Sequence, residues 1–296
     1  MNIRISTEAL SGTSQALLWP GALYGLKRLQ TFDHKLYFLN EDLSKQQQEL
    51  INNELITPVT SFSDEIDLQV IAEKNKLKAI DDNGSQTETA ENWVELSNKI
   101  CFPTRKASKQ RTTAETDINI SLNLDGSGQS NISTGLNFFD HMLEQIAKHG
   151  LIDLDLSCDG DLEVDEHHTI EDVAITLGET INKALGKKIG IQRYAFALPM
   201  DETLATVALD FSGRPFLKFD GSFKREMVGD IPTEMIEHFF YSLAINLKAT
   251  LHIDVEGEND HHKIEGCFKG FARCLRAAVS RNERNLNVLP STKDLL

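Results

Sequence analysis

The sequence predicts an α+β fold: two tandem repeats, each rich in β-strand and carrying two helices, pack as α/β sandwiches, with a small α/β region in front. Three observations predict it. A His-His-x-x-Glu block occurs at His167 and again at His261. Each block follows an alternating polar and apolar segment, and each starts a run of helical periodicity. Residues 1–104 contain no repeat.

The N-terminal region, residues 1–104, contains a single histidine, His34. Its apolar runs and turn residues predict a short series of elements. In order, these are a strand at 35–39, a helix at 43–55, a helix end at 70–72, a strand at 77–80 and a helix at 88–100. Pro103 and the basic stretch 105–111 predict a linker to the second region.

The first repeat is predicted to span about residues 105–190. Alternation at 116–124 predicts a half-buried strand, and Asp125-Gly126-Ser127-Gly128 predicts a hairpin turn into a return strand at 130–134. A helix at 139–148 and a strand at 151–156 follow. The first histidine block then starts a helix that ends before Gly186.

The second repeat, about residues 191–296, has the same order. Strands at 204–210 and 216–219 flank a turn at 212–215, and a helix is predicted at 233–248. A strand at 250–255 precedes the second histidine block, which starts a helix ending at Val279. Each half is therefore β-β-(β)-α-β-α.

Composition narrows the classes of function. The net charge of −15 over 296 residues argues against a nucleic-acid partner, which requires basic patches. No stretch approaches 18 consecutive apolar residues, so no membrane span is expected. The four cysteines form no CxxC pair, and the N-terminus lacks a secretory signal pattern. We expect reduced thiols and a cytoplasmic location.

The histidine blocks predict a metal site. In each block the first histidine and the glutamate are four residues apart and share a helix face, whereas the second histidine is turned about 100° away. A helical histidine precedes each block, since His141 comes before His167 and His238 before His261. Imidazole and carboxylate without cysteine suit Mn, Zn, Fe or Co. The divergent second histidines predict sites that close between halves or between subunits.

Two alternatives bear on this interpretation. One block alone could arise by chance at a helix start, but two with matching upstream histidines favour metal binding. The order is not His-Glu-x-x-His, so the zinc-protease motif is absent. The acidic neighbours Asp165, Glu166 and Asp260 are expected to orient the imidazoles.

Six ordered motifs resemble the imidazoleglycerol-phosphate dehydratase family of histidine biosynthesis, over about residues 105–296. The motifs are Phe139–Leu143, Asp165–Asp172, Pro199–Glu202, Ser212–Pro215, Glu237–Phe240 and Asn259–Glu265. The resemblance implies a hydro-lyase that eliminates water from imidazoleglycerol phosphate to give imidazoleacetol phosphate. It also implies two Mn(II) ions per active site and a homo-oligomer of 24 subunits.

The resemblance also implies site residues by position. The implied metal ligands are His141, His167, His168, Glu171, His238, His261, His262 and Glu265. The implied catalytic group is Glu115, His167, Glu171 and Asp201, with Glu115 moving the proton. The implied substrate contacts are Gln145, Arg193, Arg214, Lys269, Ser291 and Lys293. Asp294 stands where the family usually has glycine, which adds a negative charge near the expected phosphate site.

Residues 1–104 faintly resemble phosphatases of the haloacid dehalogenase superfamily, which in some bacteria are fused to this dehydratase. Those phosphatases need an Asp-x-Asp pair after the first strand, and residues 1–20 contain no aspartate. We therefore interpret this region as a shortened, non-catalytic relative of those phosphatases or as an unrelated small domain, and a role in assembly or regulation is a hypothesis. Two other hypotheses are a bifunctional enzyme that also hydrolyses histidinol phosphate and a metal-binding protein without catalysis.

Overall fold

A computed structural model of the chain describes residues 1–11, 17–38, 43–59, 65–281 and 288–293. The chain divides into two compact units, Met1–Pro103 and Thr104–Leu296, and each unit has its own hydrophobic core. Within the described residues, no helix is both long and apolar enough to span a lipid bilayer.

Unit 1 consists of β1 (Asn2–Ile5), α1 (Thr7–Ser11), α2 (Ala22–Thr31), β2 (Lys35–Tyr37), α3 (Lys45–Asn53), β3 (Leu68–Glu73), β4 (Lys76–Asp81), β5 (Gln86–Ala90) and α4 (Trp93–Cys101). The sheet order is β2-β1-β3-β4-β5, with β1 parallel to β2 and β3 and the last two strands antiparallel. The indole of Trp93 is buried and donates a 2.7 Å hydrogen bond to the carbonyl of Ala9.

Two predictions for unit 1 are wrong. Residues 70–72 lie in β3 rather than at a helix end, because the β-branched Val70 and Ile71 pair across a hairpin with β4. Residues 88–90 lie in β5, so the predicted helix begins only at Trp93. Asn92 sets this start, since its side chain accepts a hydrogen bond from the backbone of Glu95 at 2.9 Å.

Unit 2 repeats one arrangement twice. The first half comprises β6 (Lys106–Thr112), β7 (Thr116–Asn123), β8 (Ser130–Ser133), α5 (Asn137–Gly150), β9 (Asp153–Gly160) and α6 (His167–Leu185). The second comprises β10 (Tyr194–Met200), β11 (Thr203–Asp210), β12 (Phe216–Asp220), β13 (Met227–Val228), β14 (Ile231–Pro232), α7 (Glu234–Leu247), β15 (Thr250–Glu256) and α8 (Asp260–Val279). The β13–β14 hairpin is an addition to the second half.

The sheet orders β6-β7-β9-β8 and β10-β11-β15-β12 are the same, with three antiparallel strands and a parallel fourth in each. Helix α6 packs on β6 and β7, and α8 packs on β10 and β11. Between the halves, α6 contacts α7 and α5 contacts α8, and one continuous core joins both halves. The predicted tandem α+β fold is confirmed.

Three predictions for unit 2 need correction. The stretch 105–111 is not a linker, because Lys106–Thr112 forms strand β6 against β7. The return strand β8 does not form a hairpin with β7; it pairs in parallel with the far side of β9, and β12 does the same with β15. Strand β10 was not predicted. Local periodicity shows a strand but not its partner, which is decided by packing.

Candidate metal centre

His167 and Glu171 on α6 meet His238 on α7. Nε2 of His167 lies 3.7 Å from Oε2 of Glu171, and Nε2 of His238 lies 3.3 Å from Oε1 of the same carboxylate. One ligand atom from each residue lies within 4.8 Å of the others. The two halves therefore supply one trio of imidazole, carboxylate and imidazole.

The donor set fits a divalent transition metal. Nε2 of His238 is buried and has no hydrogen-bond partner among the described residues, although it points towards a carboxylate. A buried polar atom without a partner is costly unless another ligand satisfies it. Two imidazoles and a carboxylate without thiolate suit Mn, Fe, Co or Zn.

A short-range hydrogen bond fixes the backbone of the first histidine in each block. The carboxylate of Asp165 accepts the backbone N–H of His167 at 2.9 Å, and Asn259 accepts that of His261 at 3.0 Å. Asp165, which was expected to orient an imidazole, thus accepts a backbone N–H at the start of α6. Asp260 was also expected to orient an imidazole, but its carboxylate accepts the backbone N–H groups of the loop at 224–225.

The second block is arranged like the first but does not close. Nε2 of His261 lies 3.6 Å from Oε2 of Glu265, whose other oxygen pairs with Lys269 at 2.8 Å. His141 instead lies 3.6 Å from Glu144, and Gln145 donates to its backbone carbonyl at 3.1 Å. In the described part of the chain, His141 does not join His261 and Glu265 within 4.8 Å.

The second histidine of each block contacts a carboxylate. Nδ1 of His168 lies 3.1 Å from Asp161, and Nδ1 of His262 lies 2.9 Å from Glu202. These hydrogen bonds raise the pKa of both imidazoles, and the contact with His262 lowers the pKa of Glu202 to about 2. Neither carboxylate was identified from the sequence; Glu202 is 60 residues from His262.

Glu202 and His262 also lie near Asp201, and one ligand atom of each is within 4.8 Å of the others. Asp201 occupies the turn between β10 and β11 with a φ of 50° and is exposed. The structure therefore places Asp201 beside the second histidine block, and the trio of His167, Glu171 and His238 is a separate group.

The turn before β7 carries Glu115, whose Oε1 lies 3.8 Å from Nε2 of His168. The hydroxyl of Thr113 accepts the backbone N–H of Glu115 at 3.1 Å. The buried carboxylate of Asp172 on α6 accepts the hydroxyl of Thr116 at 2.6 Å and pairs with Arg111. These contacts fix the turn against α6, the helix that carries His167 and Glu171.

Four of the six implied substrate contacts line one pocket of about 550 Å³. Its lining includes Arg193, Ser212, Arg214, Ser291, Thr292 and Lys293. Lys269 and Gln145 are not among them: Lys269 pairs with Glu265, and Gln145 lies beside His141. Asp294 lies outside the described residues.

The guanidinium of Arg193 is engaged within the protein. It donates to both carboxylate oxygens of Asp210 at 2.5 and 3.0 Å and to the carbonyl of Pro290 at 2.8 Å. Arg193 therefore holds the segment that carries Ser291 and Lys293 against β11.

Known proteins that this chain resembles belong to histidine biosynthesis or carry the name imidazoleglycerol-phosphate dehydratase. The family model of imidazoleglycerol-phosphate dehydratase matches residues 134–275. The chain is 54% identical over 204 residues to the histidine biosynthesis bifunctional protein HisB of Spirosoma linguale, covering 69% of this chain and 53% of that protein. It is 57% identical over 194 residues to HisB of Campylobacter jejuni, covering 66% and 55%. The chain thus spans about half the length of these curated relatives.

Two solved structures are matched over nearly their whole length. Imidazoleglycerol-phosphate dehydratase of Staphylococcus aureus is 40% identical, with a TM-score of 0.55, and the match covers 60% of this chain and 99% of that one. The Pyrococcus furiosus enzyme, in complex with (S)-C348, is 34% identical with the same TM-score, and the match covers 64% and 100%.

Proposed function

Because this chain belongs to the imidazoleglycerol-phosphate dehydratase family, we propose that it eliminates water from imidazoleglycerol phosphate to give imidazoleacetol phosphate in L-histidine biosynthesis. The observation that carries the proposal is the trio of His167, Glu171 and His238, contributed by both halves of the repeat. A cytoplasmic location is part of the proposal.

We propose two Mn(II) ions per active site, held by His141, His167, His168, Glu171, His238, His261, His262 and Glu265. A bound divalent ion supplies Lewis acidity towards the imidazole ring of the substrate. Because His141 does not reach His261 and Glu265 within one chain, self-association into a 24-subunit oligomer is the proposed route to the complete sites. Light scattering of the purified protein, with and without Mn(II), tests the assembly.

The remaining chemistry falls to side chains of this chain. The reaction breaks a C–H bond and a neighbouring C–O bond, releases water and leaves an enol that becomes the ketone. Glu115 is the proposed proton acceptor, because its carboxylate accepts no hydrogen bond from the described residues, faces His168 and lies on a fixed turn. Arg214, Ser291 and Lys293 supply the donors for the phosphate group.

The test is imidazoleacetol phosphate formation by the purified protein, with Mn(II) and again after chelation. Glu115→Gln should lower kcat by about 10²- to 10⁴-fold and leave Mn(II) binding intact. Metal binding without turnover by the unchanged protein would instead support the hypothesis of a silenced metal-binding relative.

A second, phosphatase activity is not favoured by unit 1. Its first strand, β1, lies between β2 and β3 and is followed by Ser6 and Thr7. The position after this strand therefore offers hydroxyls and not the aspartate pair that phosphoryl transfer needs there. Phosphate release from histidinol phosphate would overturn this interpretation. The hypothesis that residues 1–104 act in assembly would be excluded if their deletion changed neither oligomer size nor kinetics.

A further inference from the structure

The two halves of unit 2 use equivalent glutamates differently. Glu115 directly precedes β7 and Glu202 directly precedes β11, so the two occupy the same place in the repeat. Glu115 lies 3.8 Å from the nearest histidine nitrogen, outside hydrogen-bond range. Glu202 is engaged: one oxygen lies 2.9 Å from Nδ1 of His262, and the other accepts the backbone N–H of Asn259 at 3.1 Å.

The acidic residues that follow β9 and β15 differ in the opposite sense: the one in the first half is engaged, and the one in the second half is exposed. Asp161 follows Gly160 at the end of β9, and both of its oxygens lie within 3.2 Å of Nδ1 of His168. Its backbone N–H donates to the carbonyl of Glu115 at 3.0 Å. In the second half, Glu258 follows Gly257 after β15, and its side chain is exposed. Each half thus holds its second histidine with one carboxylate, taken from a different place in the repeat.

We propose that Asp161 and Glu202 are positioning residues for the metal site, each fixing the imidazole of a second histidine with the hydrogen on Nδ1. A carboxylate only accepts, so Nδ1 must donate and the lone pair of Nε2 remains for a metal ion. A carboxylate on the far nitrogen also fixes the ring plane and raises the basicity of the ligand.

There is a chemical reason for the two halves to hold the second histidine with carboxylates from different positions. A carboxylate bound to Nδ1 of a ligand cannot also collect a proton from the substrate. In the first half, Asp161 holds His168 and leaves Glu115 free for proton transfer. In the second half Glu202 holds His262, so that only one of the two equivalent glutamates serves as the base. This inference rests on the proposed dehydratase function.

The experiment is direct Mn(II) titration of the full chain by electron paramagnetic resonance, separately from turnover. Asp161→Ala and Glu202→Ala should each weaken Mn(II) binding by about 10- to 100-fold. Asp161→Asn and Glu202→Gln keep an acceptor for Nδ1 and should restore most of that loss. Glu258→Ala is the matched control from the unused position, and its Mn(II) affinity should equal that of the unchanged protein.

Two results would overturn the assignment. Unchanged Mn(II) affinity in both alanine variants would remove the positioning role. A loss in Glu202→Gln as large as in Glu202→Ala would make that carboxylate a direct ligand. Failure of the proposed function is distinguishable, because it would appear as tight Mn(II) binding by the unchanged protein without imidazoleacetol phosphate formation.

Discussion

Nε2 of His238 on α7 lies 3.3 Å from Oε1 of Glu171 on α6, so an imidazole of the second half meets a carboxylate of the first. The two helices pack directly on each other, and the contact lies at their interface. Because His167 shares a helix face with Glu171, this single contact completes the trio. The metal centre therefore depends on the packing of the two halves.

Removing the imidazole from this contact should weaken metal binding with little effect on the fold. We expect His238→Asn to lower Mn(II) affinity by at least tenfold, because the trio loses one of three donors. The measurement is Mn(II) titration beside thermal unfolding of the chelated protein. His252→Asn, at an outward position of β15, is the control and should bind Mn(II) normally.

Loosening the turn that carries Glu115 should slow the chemical step. Thr116→Val removes the 2.6 Å hydrogen bond to the buried carboxylate of Asp172. We expect a loss of about 1–3 kcal/mol in the free energy of unfolding and a kcat lower by on the order of tenfold, with KM nearly unchanged. Urea denaturation and steady-state kinetics measure the two effects. An unchanged kcat in a destabilised variant would limit Thr116 to a structural role.

Releasing the C-terminal segment should weaken substrate binding. Asp210→Asn removes the charged partner of Arg193, which also holds the carbonyl of Pro290. We expect KM to rise about tenfold and kcat to change less, because the pocket that contains Ser291 and Lys293 loses its support. Asp254→Asn, on the neighbouring strand β15, is the control. Equal KM values in the two variants would contradict a role of the Asp210–Arg193 contact in holding this segment.

Stability should depend on pH in opposite directions with and without metal. The carboxylates of Asp161 and Glu202 raise the pKa of His168 and His262 above 6.5. In chelated protein, these pairs stabilise the fold below pH 6.5, and the contribution is lost as the pH rises through the raised folded pKa. Mn(II) requires neutral imidazoles, so its binding should strengthen over the same rise. Thermal unfolding between pH 6 and pH 9, with and without Mn(II), measures both trends.

Much of the fold followed from local patterns. Alternation at 116–124 identified β7, and the histidine blocks identified the starts of α6 and α8, where Asp165 and Asn259 each accept a backbone N–H. Strand partners did not follow, because β8 and β12 pair in parallel across the sheet with strands that come later in the chain. Strand β6 was missed because Lys109 and Arg111 occupy its half-buried positions, so its sequence does not alternate between polar and apolar residues.

The candidate site, too, followed partly from the sequence and partly from tertiary packing. The sequence by itself determined that each block places a histidine and a glutamate on one helix face, because the pitch of an α-helix fixes neighbours four residues apart. Only the tertiary structure decided that His238 meets Glu171, that Glu202 meets His262 and that Asp210 engages Arg193. These partners are 67, 60 and 17 residues apart. These contacts depend on how helices and strands pack, and the periodicity of the sequence does not show that packing.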